Sequence, residues 1–363
     1  MSDSDMRLGV VADASASGAG TVARFPITML VAIHDNRELA QFHPIPENDA
    51  AWGKGFTEWT NVAKSKPLFE GHYQPHLPAN LGFYDLRLAA SRLAQARLAR
   101  QYGIEGFCYW HYWFNGQRLL EKPFNQVLAS GEPDFPFCLA WANETWSRRW
   151  LGEEKEIIVK QTYSAEDDHH HIQWLMKAFS DPRYIRVNDR PLFLIYRPLD
   201  LPDPRRTTQL FRDECRHHGV TEPYLLGINS HRDIDYRQLG FDGTQDFEPQ
   251  LGVLANPLSD GLKVHDYTAA RKKMISRTRD FPVYPCVFVS WDNSPRRGEN
   301  GIVFVNSSPE AFETCYERRC NRCCRVRTTT AWSSSMPGTS GPKVIIWNRI
   351  RNTASDIWKQ CAA

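Results

Sequence analysis

Two short apolar segments, each followed at once by polar and aromatic residues, constrain the fold of this chain most. They are residues 104–110 (IEGFCYW) and 135–141 (FPFCLAW). Each is too short for a helix and rich in aromatic and small residues, a pattern typical of a strand buried on both faces. Polar and aromatic side chains follow at 111–115 (HYWFN) and 143–150 (NETWSRRW). Core strands that end in such residues predict a (β/α) barrel, which carries its chemistry at the carboxyl ends of its strands.

Further strand and helix patterns alternate along the chain. Strand candidates also cover residues 27–33, 191–197, 224–229, 241–247 and 284–292, and helix candidates cover 85–101, 163–179, 205–217 and 267–279. Ser164 is the predicted N-cap of the second helix. The predicted fold class is α/β, a (β/α)8 TIM-type barrel over residues 27–314, with residues 1–26 as a disordered N-terminal tail. Seven strands are recognisable where a closed barrel needs eight.

The charge of the chain is unevenly distributed. The net charge is +2, but residues 315–363 hold nine basic and two acidic residues, so residues 1–314 carry a net charge of −5. This balance disfavours a nucleic-acid partner for the main body. No apolar segment reaches the ~18 residues of a membrane span, and residues 1–26 do not resemble a secretory signal. We therefore expect no integral membrane segment and a cytoplasmic location.

No metal site and no cofactor are predicted. The CNRCC segment at 320–324 has no second ligand pair near it. Three consecutive histidines on a helix, His169, His170 and His171, cannot present three ligands on one face, so we interpret them as surface residues.

The polar ends of the two central strands favour a carbohydrate site. Pyranose rings offer C–H faces and a rim of hydroxyl groups, which aromatic rings, carboxylates and amides can match. The alternative is an aromatic-rich core that contains a histidine hydrogen-bonded within the protein. The loop over residues 41–60 adds Gln, His, Trp and Glu side chains that a mere connection does not need.

Four segments closely resemble the WbsX-like, glycoside hydrolase family 99-like group of proteins. They are 41–49 (QFHPIPEND), 52–62 (WGKGFTEWTNV), 106–116 (GFCYWHYWFNG) and 141–146 (WANETW), and the resemblance covers roughly residues 40–314. It implies a (β/α)8 barrel that acts on carbohydrate, usually in lipopolysaccharide O-antigen or other surface-polysaccharide pathways. Members are variously described as glycosyltransferases and glycoside hydrolases. Upstream, residues 34–40 depart from the aromatic segment usual in the family.

The resemblance stops near Cys315, where the family pattern gives way to a Cys- and Arg-rich sequence. The family would show an eighth strand and the signature NAWNEWAEG, then HLEPD. Residues 336–351 (MPGTSGPKVIIWNRIR), back-translated with free third bases and read one nucleotide earlier, can spell NAWNEWAEGNHLEPDQ. We infer a one-nucleotide deletion or its equivalent near codon 314. The predicted outcome is an irregular tail over residues 315–363, a barrel whose eighth strand is missing or irregular, and a chain that is poorly soluble and inactive as written.

Glycosidic chemistry needs a carboxylic acid near the leaving oxygen and a second carboxylate for water, nucleophile or ring charge. Glu144 is the first candidate, because it follows a central strand and is flanked by tryptophans, and Glu58, Glu248 and Asp292 are candidates for its partner. We expect Glu144, His111 and Trp113 to open into one pocket. The candidate substrate-binding residues are Gln41, His43, Trp59, His111, Tyr112, Trp113, Asn143, Trp146, Tyr196, Arg197, Glu248 and Trp291.

Three interpretations of the function remain open from the sequence. The first is a glycosidase-like enzyme acting on surface polysaccharide, and the second is a glycosyltransferase of O-antigen assembly. The third is an inactive or purely sugar-binding protein. The partner in each case is an oligosaccharide or polysaccharide. No nucleotide-sugar loop is recognisable, which disfavours an ordinary metal- and nucleotide-dependent transferase.

Overall fold

The computed structural model describes residues 41–78, 80–102, 104–148, 153–230, 233–254 and 261–314. Its strands are β1 (Phe107–Phe114), β2 (Gln117–Leu119), β3 (Phe137–Trp141), β4 (Trp146–Arg148), β5 (Glu153–Val159), β6 (Arg186–Val187), β7 (Arg190–Ile195), β8 (Tyr224–Asn229), β9 (Gly243–Asp246), β10 (Lys263–Asp266), β11 (Val283–Tyr284) and β12 (Ile302–Val305). Its α-helices are α1 (Pro46–Trp52), α2 (Glu58–Lys64), α3 (Ala89–Gln101), α4 (Lys122–Ser130), α5 (Ala165–Phe179), α6 (Pro204–His217), α7 (Tyr267–Ser276) and α8 (Ser294–Arg297).

The main sheet has the strand order β11–β9–β8–β7–β3–β1–β2. All neighbours from β11 to β1 are parallel, and β2 returns antiparallel to the end of β1. An α-helix lies in each crossover between neighbouring parallel strands except that from β8 to β9, which contains a 3-10 helix, Tyr236–Leu239. The predicted α/β class and five of the seven predicted strands are therefore present. Of the strand predicted over 284–292, only Tyr284 lies in a strand, the two-residue β11. The strand predicted over 27–33 and the tail over 315–363 lie outside the described residues, so closure into a barrel stays a prediction.

The helices begin and end close to where the sequence patterns place them. Helix α5 starts directly after Ser164, whose hydroxyl accepts a hydrogen bond from the Asp167 amide at 3.0 Å, as expected of an N-cap. Helix α3 begins at Ala89 rather than at residue 85, because residues 85–88 form a turn before it. The segment 41–60, predicted as a loop, contains the short helix α1 and the start of the short helix α2.

Strand β1 presents aromatic residues to both faces of the sheet. Tyr109 packs on Phe124 of α4, and His111 stacks on Trp174 of α5. The alternate residues Trp110 and Tyr112 lie on the other face. Successive side chains of a strand point to opposite faces, so one strand contributes both to the core under the helices and to the face on which the polar strand ends lie.

The largest core fills the space between the sheet and helices α4, α5 and α6. It contains Phe137, Phe193, Phe211 and Phe179, each at most 1% exposed. Burying one such side chain stabilises the fold by about 1.5–3 kcal/mol. A smaller core around Tyr267 and Phe288 joins α7 to the pair β10–β12, which the sequence patterns did not predict. None of the helices in the described ranges is long and apolar enough to cross a bilayer.

Candidate active site

The carboxyl ends of β3 and β7 are joined by a set of polar contacts. Asn143 is fully buried; its Oδ1 accepts from the Arg197 amide at 2.7 Å, and its Nδ2 donates to the Arg197 carbonyl at 2.9 Å. The Tyr163 hydroxyl donates to the Asn143 carbonyl at 2.7 Å. Because the side-chain amide of Asn143 forms hydrogen bonds with the Arg197 backbone, Asn143 holds the two strand ends together. It does not present this amide to the hydroxyl groups of a substrate.

Glu144 follows directly and points to the Arg197 side chain. Its Oε2 lies 3.0 Å from Nη2 and 3.2 Å from Nε of Arg197, and both side chains keep about a fifth of their surface exposed. The Arg197 guanidinium also lies 5.5 Å from the centroid of the buried Tyr196 ring. The predicted neighbours Glu144 and Arg197 are therefore brought together, in a pair that solvent reaches.

A second carboxyl group lines a pocket of about 130 Å³ formed by the segment 41–61, the β4–β5 hairpin and α8. This group is Glu58, the first residue of α2, which is 6% exposed. The lining residues, three of them amides and two of them tryptophans, are Gln41, Asn48, Trp52, Phe56, Glu58, Asn61, Trp146, Ser147, Ile158 and Arg296. We refer to this set as the Glu58 pocket.

Two side chains bind the Glu58 carboxyl. Arg296 brings Nη2 to 2.7 Å and Nε to 2.8 Å from Oε2, and Asn61 donates to the same oxygen at 3.2 Å. Burial raises the pKa of Glu58 to about 7, and the Asn61 hydrogen bond opposes part of that rise. The Arg296 guanidinium favours the ionised form. A pKa near 7 lies in the range that general acid–base catalysis uses.

Neighbouring aromatic rings pack against Trp146 and Trp52, the two tryptophans that line the Glu58 pocket. Trp146 begins β4 two residues after Glu144, and its ring centroid lies 5.1 Å from that of Tyr112 and 6.3 Å from that of Phe114. Trp52 packs on Phe56 at 5.6 Å. The Glu58 pocket thus has the aromatic walls and amide groups that a sugar ring requires. Glu144 itself does not line this pocket, whereas Trp146, two residues after it, does.

His111 and Trp113 do not open into a pocket with Glu144, which corrects the expectation from the sequence. His111 is 3% exposed, and its Nε2 lies 3.0 Å from Nε2 of His171 on α5. Trp113 donates from Nε1 to Asp167 at 2.9 Å and stacks on the His171 ring. Both residues occupy odd positions of β1, and the odd positions face the helices. The same contacts show that His171 is a core residue and not a surface one.

Other predicted contact residues support the framework of the site. Trp59 donates from Nε1 to the Tyr84 carbonyl at 2.9 Å, and Tyr196 packs edge-on against Trp110 and Phe247. The remaining candidates His43 and Glu248 are at most 1% exposed, and Trp291 packs against the core under α7. None of these side chains lines the Glu58 pocket.

Asp292, the third predicted catalytic carboxylate, is bound on both oxygens by the protein. Its Oδ2 accepts from His72 Nε2 at 2.8 Å and from Gln74 Nε2 at 2.5 Å, and its Oδ1 accepts from the Ser294 amide at 2.8 Å. His76 lies 4.0 Å away. In the part of the chain that the structure describes, no group of three His, Cys, Asp or Glu side chains is arranged to hold a metal ion.

Sequence reasoning missed several lining residues, above all Arg296, Asn61 and Asn48. Asn61 and Asn48 lie in segments that carry the family resemblance, so their position in a motif was a usable signal. Arg296 lies in the basic pair that follows Pro295. Nothing in the sequence indicates that this pair meets Glu58, which is 238 positions away along the chain.

Comparison with known proteins assigns this chain to one family. The sequence profile of the family described as glycosyltransferase WbsX matches residues 36–332 of this chain. Two relatives from Xanthomonas campestris pv. campestris, one of them from strain B100 and both described as uncharacterized protein WxcX, are 45% identical over 284 residues. These alignments cover 76% of this chain and 41% of the relatives, so the chain spans about two fifths of their length.

Solved structures show a weaker likeness. A glycoside hydrolase-like protein is 14% identical, with a TM-score of 0.43 over 72% of this chain and 85% of that chain. A GH99 endo-alpha-mannosidase from Bacteroides thetaiotaomicron, in complex with BIS-TRIS-propane, is 12% identical, with a TM-score of 0.43 over 77% of each chain. The assignment rests on the profile, which covers most of the sequence: the chain belongs to the glycosyltransferase WbsX family.

Proposed function

We propose that this chain is a carbohydrate-active enzyme that makes or breaks glycosidic bonds in the biosynthesis of a surface polysaccharide such as O-antigen. Membership of the WbsX family supports the pathway and favours glycosyl transfer. The single observation that carries the chemistry is the Glu58 pocket, in which a carboxyl group with a pKa of about 7 lies among tryptophan rings and amides.

Glu58 serves as the general acid in this proposal. Its protonated carboxyl gives its proton to the glycosidic oxygen as the bond from that oxygen to the anomeric carbon breaks. The pKa near 7 leaves a large fraction of the acid protonated at neutral pH. Trp52 and Trp146 pack on the faces of the sugar ring, and the amides of Gln41 and Asn48 bind its hydroxyl groups.

Glu144 is the second carboxylate of the proposal. Paired with Arg197, it remains an anion that can stabilise the positive charge that develops on the sugar ring or attack the anomeric carbon. A water molecule then completes hydrolysis, whereas an acceptor hydroxyl completes transfer. In both reactions the incoming oxygen gives its proton to the Glu58 carboxylate, which restores the acid. Hydrolysis and transfer therefore use the same residues and differ only in the acceptor.

The test uses a panel of oligosaccharides from bacterial surface polysaccharides, with and without nucleotide sugars, incubated in water enriched in oxygen-18. Mass spectrometry separates the reactions: hydrolysis places oxygen-18 in the released sugar, and transfer lengthens an acceptor without it. We expect turnover by the wild-type chain and by Glu70→Gln, an exposed glutamate, and a loss of roughly 10²–10⁴-fold in Glu58→Gln. If the chain as written is inactive, as the predicted frameshift implies, the same variants are compared in the restored reading frame. Sugar binding without turnover by the wild-type chain would instead identify a non-catalytic binding protein.

A further inference from the structure

We propose that Asp292 is a positioning residue of the Glu58 pocket, which ties α2 to α8 so that Arg296 stays on the Glu58 carboxyl. Its importance for turnover rests on the function proposed above. The sequence made Asp292 a candidate catalytic carboxylate, and its contacts assign it a different task. Its side chain is only 9% exposed and both of its oxygens accept hydrogen bonds from the protein, so little of the carboxylate faces a substrate.

One connection runs from Asp292 to Arg296. The Asp292 Oδ1 accepts from the amide of Ser294, the first residue of α8, and this bond fixes the start of the helix. Arg296 lies two positions further in the same short helix and places Nε and Nη2 on Oε2 of Glu58. A shift of this helix therefore moves the guanidinium relative to the carboxyl.

A second connection runs from Asp292 to the helix that carries Glu58. The Asp292 Oδ2 accepts from Gln74, and the Oε1 of Gln74 lies 2.7 Å from the hydroxyl of Ser65. Ser65 is the C-terminal cap of α2, and Glu58 is the first residue of that helix. Asp292 thus stands between the two helices whose side chains meet in the pocket.

The tautomer of His72 explains why position 292 needs a carboxylate rather than an amide. The Leu68 amide donates to Nδ1 of His72 at 3.1 Å, so that nitrogen is an acceptor and the ring proton lies on Nε2. Nε2 then donates to Asp292. An asparagine at 292 has one acceptor oxygen for three donors, from His72, Gln74 and Ser294. It would leave at least one of these buried donors facing an amide NH2 group.

The experiment measures the titration of Glu58 directly, by NMR of protein labelled with carbon-13 at the glutamate carboxyl. The signal of Glu58 is assigned by its absence in Glu58→Gln. In Asp292→Asn we expect the titration midpoint of Glu58 to rise by about one pH unit, because Arg296 is no longer held against the Glu58 carboxylate. Arg296→Gln should raise it at least as far, and the double variant no further than Arg296→Gln alone.

Matched variants separate positioning from loss of fold. His76→Gln changes a neighbour that lies 4.0 Å from Asp292 and should leave the Glu58 midpoint unchanged. Gln74→Ala removes the hydrogen bonds to Asp292 and Ser65 but leaves the bond from Ser294 to Asp292 in place. It should give a smaller rise, which preserves the test if Asp292→Asn does not fold. A midpoint that moves in Arg296→Gln but in neither Asp292→Asn nor Gln74→Ala overturns the proposal, and so does one that moves in no variant. This readout needs no turnover, so a failed glycosidic assay would count against the proposed function and leave this inference standing.

Discussion

At the scale of single residues, the Glu58 carboxyl is expected to set how activity depends on pH. The proposed acid works only when protonated, and above its pKa of about 7 the protonated fraction falls tenfold for each pH unit. Turnover should therefore decline from neutral to alkaline pH, and Glu58→Gln should lose roughly 10²–10⁴-fold in kcat. The pH–rate profile of the wild-type chain checks this, and a flat profile between pH 6 and pH 9 would remove Glu58 from the acid role.

Glu144 offers a second test at the residue scale. Glu144→Gln is nearly isosteric, and the pair with Arg197 is partly exposed, so we expect a stability loss below about 1 kcal/mol together with loss of glycosidic activity. Thermal unfolding and turnover are measured on the same sample. Asp213→Asn, which breaks the exposed pair with Arg216 on α6, is the control and should keep full activity. An active Glu144→Gln variant would take the second carboxylate out of the proposal.

The positions of individual site residues were predicted only in part, for physical reasons. Glu58, Glu144 and Arg197 were chosen because charged side chains at strand ends and in ordered loops are costly without a use. The structure pairs Glu144 with Arg197 and places Glu58 in a pocket, and their roles stay predictions. His111 and Trp113 were misplaced because β1 is aromatic on both faces, so the period-two pattern does not tell which face looks toward the helices. Asp292 was misread because a sequence does not show which carboxylate oxygens the protein itself binds.

At the scale of elements, the contact between β1 and α5 depends on two buried histidines. Burial lowers the pKa of His111 and of His171 well below the usual value near 6.5, and the charge of Arg118 lowers both further. A histidine whose folded pKa is depressed stays neutral in the fold but takes up a proton in the unfolded chain once the pH falls below 6.5. Stability is therefore present above that pH and is lost as the pH falls.

The expected loss is up to ~1.4 kcal/mol per pH unit for each histidine below pH 6.5. Urea unfolding at pH 7.5, 6.5 and 5.5 measures it. His111→Phe keeps an aromatic ring between Trp113 and Trp174 but removes one titrating group, so it should roughly halve the contribution of the pair to that slope. The variant should also be less stable by about 1–3 kcal/mol at pH 7.5, because His171 loses its partner. An unchanged slope would contradict the account.

Elements with a clear hydrophobic periodicity were predicted well. Elements that depend on contacts between residues far apart in the chain were not. Helix α5 was predictable because its cap, acidic first turn and apolar spacing all agree. The pair β10–β12 joins four-residue strands whose partners are far apart in the chain, so neither strand carries a local signal. Helices α1 and α2 are seven residues each, in a segment whose glycines and prolines favour a loop.

At the scale of the whole molecule, the reading frame after codon 314 is the open prediction. The family profile matches this chain as far as residue 332, which is 18 positions beyond codon 314, where the resemblance was expected to stop. It ends before the segment 336–351, in which the shifted frame can spell the family signature. Resequencing the gene around codon 314 should find a missing nucleotide, and a chain expressed from the restored frame should unfold cooperatively at a higher temperature than the chain as written. The same nucleotide sequence in independent isolates, with no gain from the restored frame, would contradict the inference.

The central claim is that the Glu58 pocket binds the sugar, and the affinity of one oligosaccharide for matched tryptophan and tyrosine variants tests it most directly. Trp146→Ala removes a ring that lines the pocket, whereas Tyr73→Ala removes a ring that is 69% exposed on another loop. Isothermal calorimetry with the tightest ligand of the oligosaccharide panel should show at least about tenfold weaker binding for Trp146→Ala, equivalent to about 1.4 kcal/mol, and unchanged binding for Tyr73→Ala. Wild-type affinity in Trp146→Ala would place the carbohydrate elsewhere on the molecule and contradict the account.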